Sequence, residues 1–202
     1  MKLRTLSLYL VTVAILASLS GCARYKAQPL KTLRMRPQTE QSLSFEYRVF
    51  TIADCAQYLD RNVIGEGYQP IQISFSNNTT HYIEISPNSF SFPCAGPREV
   101  AKLVHTDTTA RVAGYTIAGV FIWPFLIPAL VDGLWSSKAN KLLDADFTQK
   151  SLRNQTIKPY SVFNGIIFVP CDAFDESFIL TVTDKQSNAI YTLTPENHTI
   201  KL

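Results

Sequence analysis

The amino-acid sequence predicts a mainly β fold, an antiparallel β-sandwich interrupted by an apolar helical hairpin. Short segments in which apolar and polar residues alternate lie on both sides of a helical region at 97–152, and such alternation is typical of strands with one buried face. Most neighbouring segments are joined by polar turns that are too short for the crossovers of a parallel sheet. Residues 41–202 are enough chain for one domain, and we expect a single one.

The first predicted strand is SLSFEYRVFTI at 42–52, and a short amphipathic helix follows it. Thr51 can cap the N-terminus of that helix. Cys55, Leu59 and Val63 fall on one stripe at helical spacing, so we expect this stripe to be buried.

The clearest strand is IQISFSN at 71–77, where Ile71, Ile73 and Phe75 alternate with polar residues. The turn-forming sequence NNTT follows, and HYIEIS then resumes the alternation. This arrangement predicts a β-hairpin.

The helical region at 97–152 contains two predicted amphipathic helices. Pro97 is placed to begin the first helix, and Val100, Leu103 and Val104 lie on one face of it. The second helix covers SSKANKLLDADFTQKSL, and its apolar face consists of Ala139, Leu142, Leu143 and Phe147.

Three strands are predicted at the C-terminal end, at 161–170, 177–184 and 189–195. In the second of them Phe178, Leu180 and Val182 form the apolar face. Together with the N-terminal strands, they make the six or so short strands expected of a sandwich.

Between the two predicted helices lies an apolar stretch, 111–133, that is about as long as a bilayer is thick. A single membrane crossing would separate the two β halves and leave each with unpaired edges. Pro124 and Pro128 each remove a helix hydrogen bond, at a cost of about 3 kcal/mol. We therefore expect the stretch to turn back near Trp123 and to form a hairpin at 112–131.

Two roles remain open for this hairpin. It can be buried within the domain or an oligomer, since each buried large side chain contributes roughly 1.5 to 3 kcal/mol. Alternatively, its tip can insert into a lipid leaflet or a partner protein. The residues of that tip are Phe121, Ile122, Trp123, Pro124, Phe125 and Leu126.

The first residues of the chain predict where the protein is located in the cell. Lys2 and Arg4 precede LSLYLVTVAILASL, which has the length of a secretory signal core rather than of a membrane span. The run ends at LSGC, which resembles the lipobox of bacterial lipoproteins. The resemblance implies a signal peptide at 1–21, cleavage between Gly21 and Cys22, and a diacylglycerol on Cys22. The alternatives are an ordinary signal peptide with a chance cysteine and an uncleaved anchor.

The lipoprotein resemblance also implies a location. Several acyl chains on Cys22 would anchor the mature chain stably. Ala23, in place of an aspartate, implies sorting to the outer membrane of a Gram-negative envelope, with the domain facing the periplasm or the cell surface.

Residues 22–40 predict a basic, flexible tether between the lipidated cysteine and the domain. As a coil it would span about 20 to 25 Å, and its cations can contact anionic headgroups or simply be solvated. Without Lys2 and Arg4, 17 basic residues remain against 16 acidic ones, so no nucleic-acid partner is expected. The charged residues of the tether are Arg24, Lys26, Lys31, Arg34, Arg36 and Glu40.

The β segments carry a second resemblance. IQISFSNNTTHYIEIS, followed later by IKPYSVFNGIIFVP and SFILTVTD, is similar to the immunoglobulin-like extracytoplasmic domains of bacterial envelope lipoproteins. The resemblance implies an immunoglobulin-like sandwich. It also implies a binding or assembly module with an envelope protein partner or a second copy of itself, although a fold alone does not determine function.

Cys55, Cys94 and Cys171 remain once Cys22 is lipidated, and a secreted location favours pairing. We expect one disulfide and one free thiol. Three pairings are possible, and the sequence does not choose among them.

The sequence offers little for catalysis. His105 with Asp107 lacks a second metal ligand at the usual spacing, Asp144 with Asp146 is expected on the wet face of a helix, and His81 and His198 stand alone beside turns. There is no phosphate loop, no Cys-x-x-Cys pair and no nucleophile elbow. We therefore expect no catalytic residue, metal or cofactor, and a role in binding or assembly. The alternative is a membrane-inserting or pore-forming protein that uses the 112–131 hairpin.

Overall fold

The computed structural model describes residues 24–33, 42–106 and 126–194. Of these, 27–33, 42–104 and 144–194 belong to one compact unit, and 24–26, 105–106 and 126–143 belong to a second. The first unit contains all the strands of the described chain, and we call it the β unit.

The described residues form two antiparallel sheets with seven strands. Sheet 1 has the order β1-β2-β5 and sheet 2 the order β4-β3-β6-β7. The strands are β1 (Leu43–Val49), β2 (Tyr68–Asn77), β3 (Ile83–Ile85), β4 (Gln155–Ile157), β5 (Ser161–Pro170), β6 (Leu180–Asp184) and β7 (Ile190–Leu193).

Three α-helices accompany the sheets in the described residues: α1 (Ile52–Tyr58), α2 (Pro97–Leu103) and α3 (Leu126–Lys150). A capping box begins α1, because the Thr51 side chain accepts from the Asp54 amide and the Asp54 side chain accepts from the Thr51 amide. The predicted cap is thus confirmed. Two short 3-10 turns lie at Ile64–Glu66 and Pro87–Ser89.

One apolar core takes buried side chains from both sheets. Phe75 of sheet 1 and Ile83, Leu180 and Val182 of sheet 2 belong to the same cluster, together with Phe178. The apolar faces predicted for β2 and β6 are therefore confirmed, because each faces this shared core. The polar face of β2 was expected to be exposed, and that expectation is wrong, since Gln72 and Ser74 are fully buried.

The helices of the β unit pack on the opposite face of sheet 1. Ile167 and Val169 point into the shared core, so Phe168 between them points the other way. There the Phe168 ring stacks on Phe147 of α3 with centroids 5.4 Å apart. We call this side, formed by α1, α2 and the end of α3, the helix layer.

The predicted hairpin between β2 and the HYIEIS segment is wrong. β2 pairs with β1 and β5, whereas β3 pairs with β4 and β6 in the other sheet. The chain crosses from sheet 1 to sheet 2 at NNTT, because the Asn77 side chain holds the connection in a corner rather than a tight turn.

Two predicted helix faces need correction. Leu103 of α2 is 49% exposed and Leu142 of α3 is 50% exposed, although both were expected to be buried. Ala101 is buried in place of Leu103, and Ala139, Leu143 and Phe147 are buried as expected. A helix that packs by one narrow stripe leaves the flanking apolar positions in water.

Most of the predicted apolar hairpin, 112–125, lies outside the described residues. Its last part belongs to α3, whose described backbone includes Pro128. Among the described residues, no helix is both long and apolar enough to cross a membrane.

Candidate functional site

Polar side chains gather at the corner where the chain passes from sheet 1 to sheet 2. Asn77 ends β2, His81 precedes β3, and Asp184 ends β6. We call Asn77, Thr79, His81, Asp184 and Ser187 the corner cluster.

Asn77 holds the corner from inside. Its side chain is fully buried, and Nδ2 donates to the carbonyls of His81 at 2.7 Å and Lys158 at 3.0 Å. Oδ1 accepts from the amide and the hydroxyl of Thr79 at 3.0 and 2.7 Å. One amide group thus satisfies backbone from two separate connections, which a shorter or apolar side chain could not do.

Asp184 carries the buried charge of the cluster. Its carboxylate is 1% exposed, and His81 Nδ1 lies 2.5 Å from Oδ2. The Ser187 hydroxyl donates to the same oxygen at 2.6 Å, and the Gln186 amide donates to Oδ1 at 2.8 Å. The hydrogen bond from Ser187, followed by that from His81, holds the pKa of Asp184 far below its usual range.

The corner cluster contains serine, histidine and aspartate but not the geometry of a catalytic triad. In a triad the hydroxyl bonds the imidazole, which in turn bonds the carboxylate. Here the Ser187 hydroxyl and His81 both bond Asp184, so the carboxylate stands between them. The cluster therefore fastens the ends of β2, β3 and β6 and provides no activated nucleophile.

Residues 27–33, predicted as part of the flexible tether, are bonded to the β unit, and we call them the strap. The Gln28 amide donates to the Gln57 carbonyl at 2.9 Å. Gln72 Nε2 donates to the Lys31 carbonyl, and Leu33 is buried. The chain is thus fixed to the domain from position 28, much earlier than the tether prediction implied.

Lys150, at the end of α3, fastens the strap to the helix layer. Its ammonium donates to the carbonyls of Gln28 at 2.8 Å and Tyr58 at 2.7 Å, and to Asp146 Oδ2 at 2.6 Å. The side chain is only 8% exposed. Three acceptors use all three N–H bonds of the ammonium, so this lysine is a structural latch.

A second polar group lies beneath the helix layer on the outer face of sheet 1. Arg48 lies over the rings of Phe50 and Tyr58, at 5.2 and 5.3 Å. Next to it in register is Gln72, whose Oε1 has no hydrogen-bond partner in the described chain, and the same is true of the buried hydroxyl of Ser74.

Most residues predicted for the site lie outside the described residues. These are the lipidation pair Gly21 and Cys22, Phe121 to Phe125 of the hairpin tip, Asp107 and His198. Leu126, the last residue of the tip, begins the described part of α3.

The described candidates differ from the predictions in two places. His81 does not stand alone, since it bonds Asp184, 103 positions later. Asp146 pairs with Lys150 instead of only facing water. The bond from His81 to Asp184 and the bonds from Lys150 to Gln28 and Tyr58 are long-range and leave no local signal in the sequence. Asp184, Ser187 and Lys150 were therefore missed, although the i,i+4 spacing of Asp146 and Lys150 was a local signal.

The three described cysteines are free thiols: Cys55 is buried, Cys94 is half-buried and Cys171 is exposed. The expected disulfide stays a prediction. Burial raises the pKa of Cys55 to about 11 and that of Cys94 to about 12. Within the described part of the chain, no three His, Cys, Asp or Glu side chains could hold a metal ion.

Comparison with protein-family models, with curated proteins and with solved structures finds no match to this chain.

Proposed function

We propose that this chain is an outer-membrane lipoprotein anchored through Cys22, and that its domain acts by binding or assembly rather than by catalysis. The observation that carries the proposal is the LSGC sequence followed by a strap that is bonded to the domain from Gln28. Six residues of extended chain span at most about 20 Å. A lipid on Cys22 would therefore hold the domain next to the membrane.

An immunoglobulin-like sandwich is the fold that we propose for the β unit. Supporting it, β1, β2 and β5 have the order of strands A, B and E of that fold, and β3, β6 and β7 have the order of C, F and G. β4 pairs with β3 instead of lying beside β5. Domains of this architecture mostly present sheet faces and end loops to partners, which is an argument from analogy.

The hydrogen bonds made by the potentially reactive side chains support a binding or assembly role rather than a catalytic one. In the corner cluster His81, Asp184 and Ser187 are bonded to each other, and the Lys150 ammonium is saturated by three acceptors. Each arrangement stabilises a connection between elements. An envelope protein or a second copy of the chain is the partner that we propose, with no nucleic acid.

Lipidation is tested in a Gram-negative host. We expect the full chain to incorporate labelled palmitate and to sediment with outer membranes, and Cys22→Ser to lose both properties. Cys171→Ser, which changes an exposed cysteine of the domain, should retain both. Equal labelling of Cys22→Ser and the unmodified chain would contradict the proposal.

Membrane insertion by the 112–131 hairpin is the second candidate, favoured by the apolar composition of that stretch. Its test uses the chain from residue 24, which keeps the strap, with Trp135→Phe so that Trp123 is the only tryptophan. Emission that shifts to the blue only with vesicles would support insertion. Blue emission that is the same with and without vesicles would exclude it and support burial.

A further inference from the structure

The chain enters and leaves the β unit at three places, next to Ala27, Val104 and Asp144. The first connection leads to Cys22, and the other two flank the apolar stretch. The first connection leads through the strap, which packs on the helix layer, and the other two adjoin helices that belong to this layer.

The strap enters on the helix layer. Gln28 bonds Gln57 of α1 through its amide and through its side chain, with Gln57 Nε2 donating to Gln28 Oε1 at 3.0 Å. Lys150 of α3 donates to the Gln28 carbonyl as well. Gln28 therefore contacts two elements that lie on the outer face of sheet 1.

The other two connections leave from the same layer. Arg61, three residues after Tyr58, donates through Nε to the Val104 carbonyl at 3.1 Å, just past the end of α2. Asp144 precedes Lys150 by six residues of α3, which is about 9 Å along a helix. Since Lys150 also bonds the Tyr58 carbonyl, the connections converge on the region around Tyr58.

From this convergence we infer that the helix layer is the side of the domain that faces the lipid surface, and that sheet 2 faces away. The inference rests on the proposed lipid anchor at Cys22. Residues 24–33 carry Arg24, Lys26 and Lys31 with no acidic residue, a charge that matches anionic headgroups. The docked strap sets the orientation, because it joins the helix layer to the anchored end of the chain.

Two isoleucines form a matched pair of reporters. Ile52 on α1 is 63% exposed and Ile190 on β7 of sheet 2 is 69% exposed. Ile52 lies in the helix layer and Ile190 in sheet 2, so the two stacked sheets, about 10 Å apart, lie between the two elements. Ile52→Cys and Ile190→Cys, each in a Cys94→Ala, Cys171→Ser background, are labelled with a nitroxide.

The lipidated full chain is purified from membranes and reconstituted in vesicles that contain anionic phospholipid and a lipid with a nickel-chelating headgroup. We expect the bound nickel to relax the nitroxide at position 52 several-fold more than the one at 190. Equal relaxation, or stronger relaxation at 190, would overturn the inference. A chain that is recovered unlipidated and soluble would instead overturn the proposed function itself.

Lys150→Met tests whether the docked strap sets the orientation of the domain. Lys141→Met is its control, because Lys141 is exposed on the same helix. We expect Lys150→Met to bring the two relaxation values closer together and Lys141→Met to leave them apart. A difference that is unaffected by Lys150→Met would show that the strap does not set the orientation.

Discussion

His81 Nδ1 lies 2.5 Å from Asp184 Oδ2, and this contact joins the segment that enters β3 to the end of β6. Asp184 is 1% exposed, whereas the histidine is 43% exposed. The partner of this buried carboxylate is thus a side chain that is accessible to water.

Replacing Asp184 by Asn should make stability less dependent on pH. The folded-state pKa of Asp184 is depressed, so its contribution is fully present above the unfolded pKa of about 3.9 and is lost as pH falls through the folded value. Asp184→Asn should be less stable than the unmodified domain at pH 7, with a gap that narrows below about pH 4. Urea unfolding from pH 2 to 8 measures this.

The control for that experiment is Asp172→Asn, which changes an exposed aspartate outside the corner cluster. It should leave both the stability and its pH profile unchanged. A gap between Asp184→Asn and the unmodified domain that stays constant down to pH 2 would contradict the role of the ionised carboxylate.

Asn77→Ala should destabilise the domain by about 2 to 4 kcal/mol, because buried carbonyls and the Thr79 amide would lose their partner. The neighbouring Asn78→Ala changes an exposed side chain and should cost under about 1 kcal/mol. Denaturant midpoints of both variants provide the comparison, and similar values for the two would refute the corner model.

Lys150→Met should loosen the strap at a cost of about 1.5 to 3 kcal/mol, the usual range for hydrogen bonds of a charged group. The Gln28 amide should then exchange with solvent faster, since its bond to Gln57 depends on the docked strap. Hydrogen exchange followed by mass spectrometry reports on residues 27–33. Unchanged exchange there would mean that other contacts hold the strap.

Phe147→Ala should cost about 3 to 5 kcal/mol, since the ring is fully buried against Phe168. Leu142→Ala, on the half-exposed side of the same helix, should cost under about 1 kcal/mol. Thermal and urea unfolding measure both changes. A large effect of Leu142→Ala would contradict this assignment, because it would show that Leu142 lies on the buried face of α3.

The exposed thiol should react much faster at pH 8 than the two thiols whose pKa is raised by burial. A thiol with a pKa of about 11, as for Cys55, is about 0.1% thiolate at that pH, and Cys94 is held similarly, whereas Cys171 is exposed. Iodoacetamide labelling mapped by mass spectrometry should therefore modify Cys171 first. Protection of Cys171 that reductant removes would point to the disulfide that the sequence predicts.

The strands and helix caps could be predicted because their causes are local. The apolar sets of β2 and β6 require only that one face of each strand point into the core, and Thr51 reaches an amide three residues away. The choice of partner strand was not predictable in this way. After NNTT the chain could return beside β2 or cross to another sheet, and the two paths share the same alternation.

Only the tertiary structure decided that the chain crosses from sheet 1 to sheet 2 after β2. It also decided which distant groups the polar side chains bond. The Asn77 side chain bonds carbonyls about 80 positions away, His81 finds Asp184 103 positions away, and Lys150 bonds Gln28 122 positions away. Such bonds form because packing of the two sheets and the helix layer brings these groups together and excludes water, and a buried polar group must then find a partner. Periodicity along the chain carries no information about which distant group that partner is.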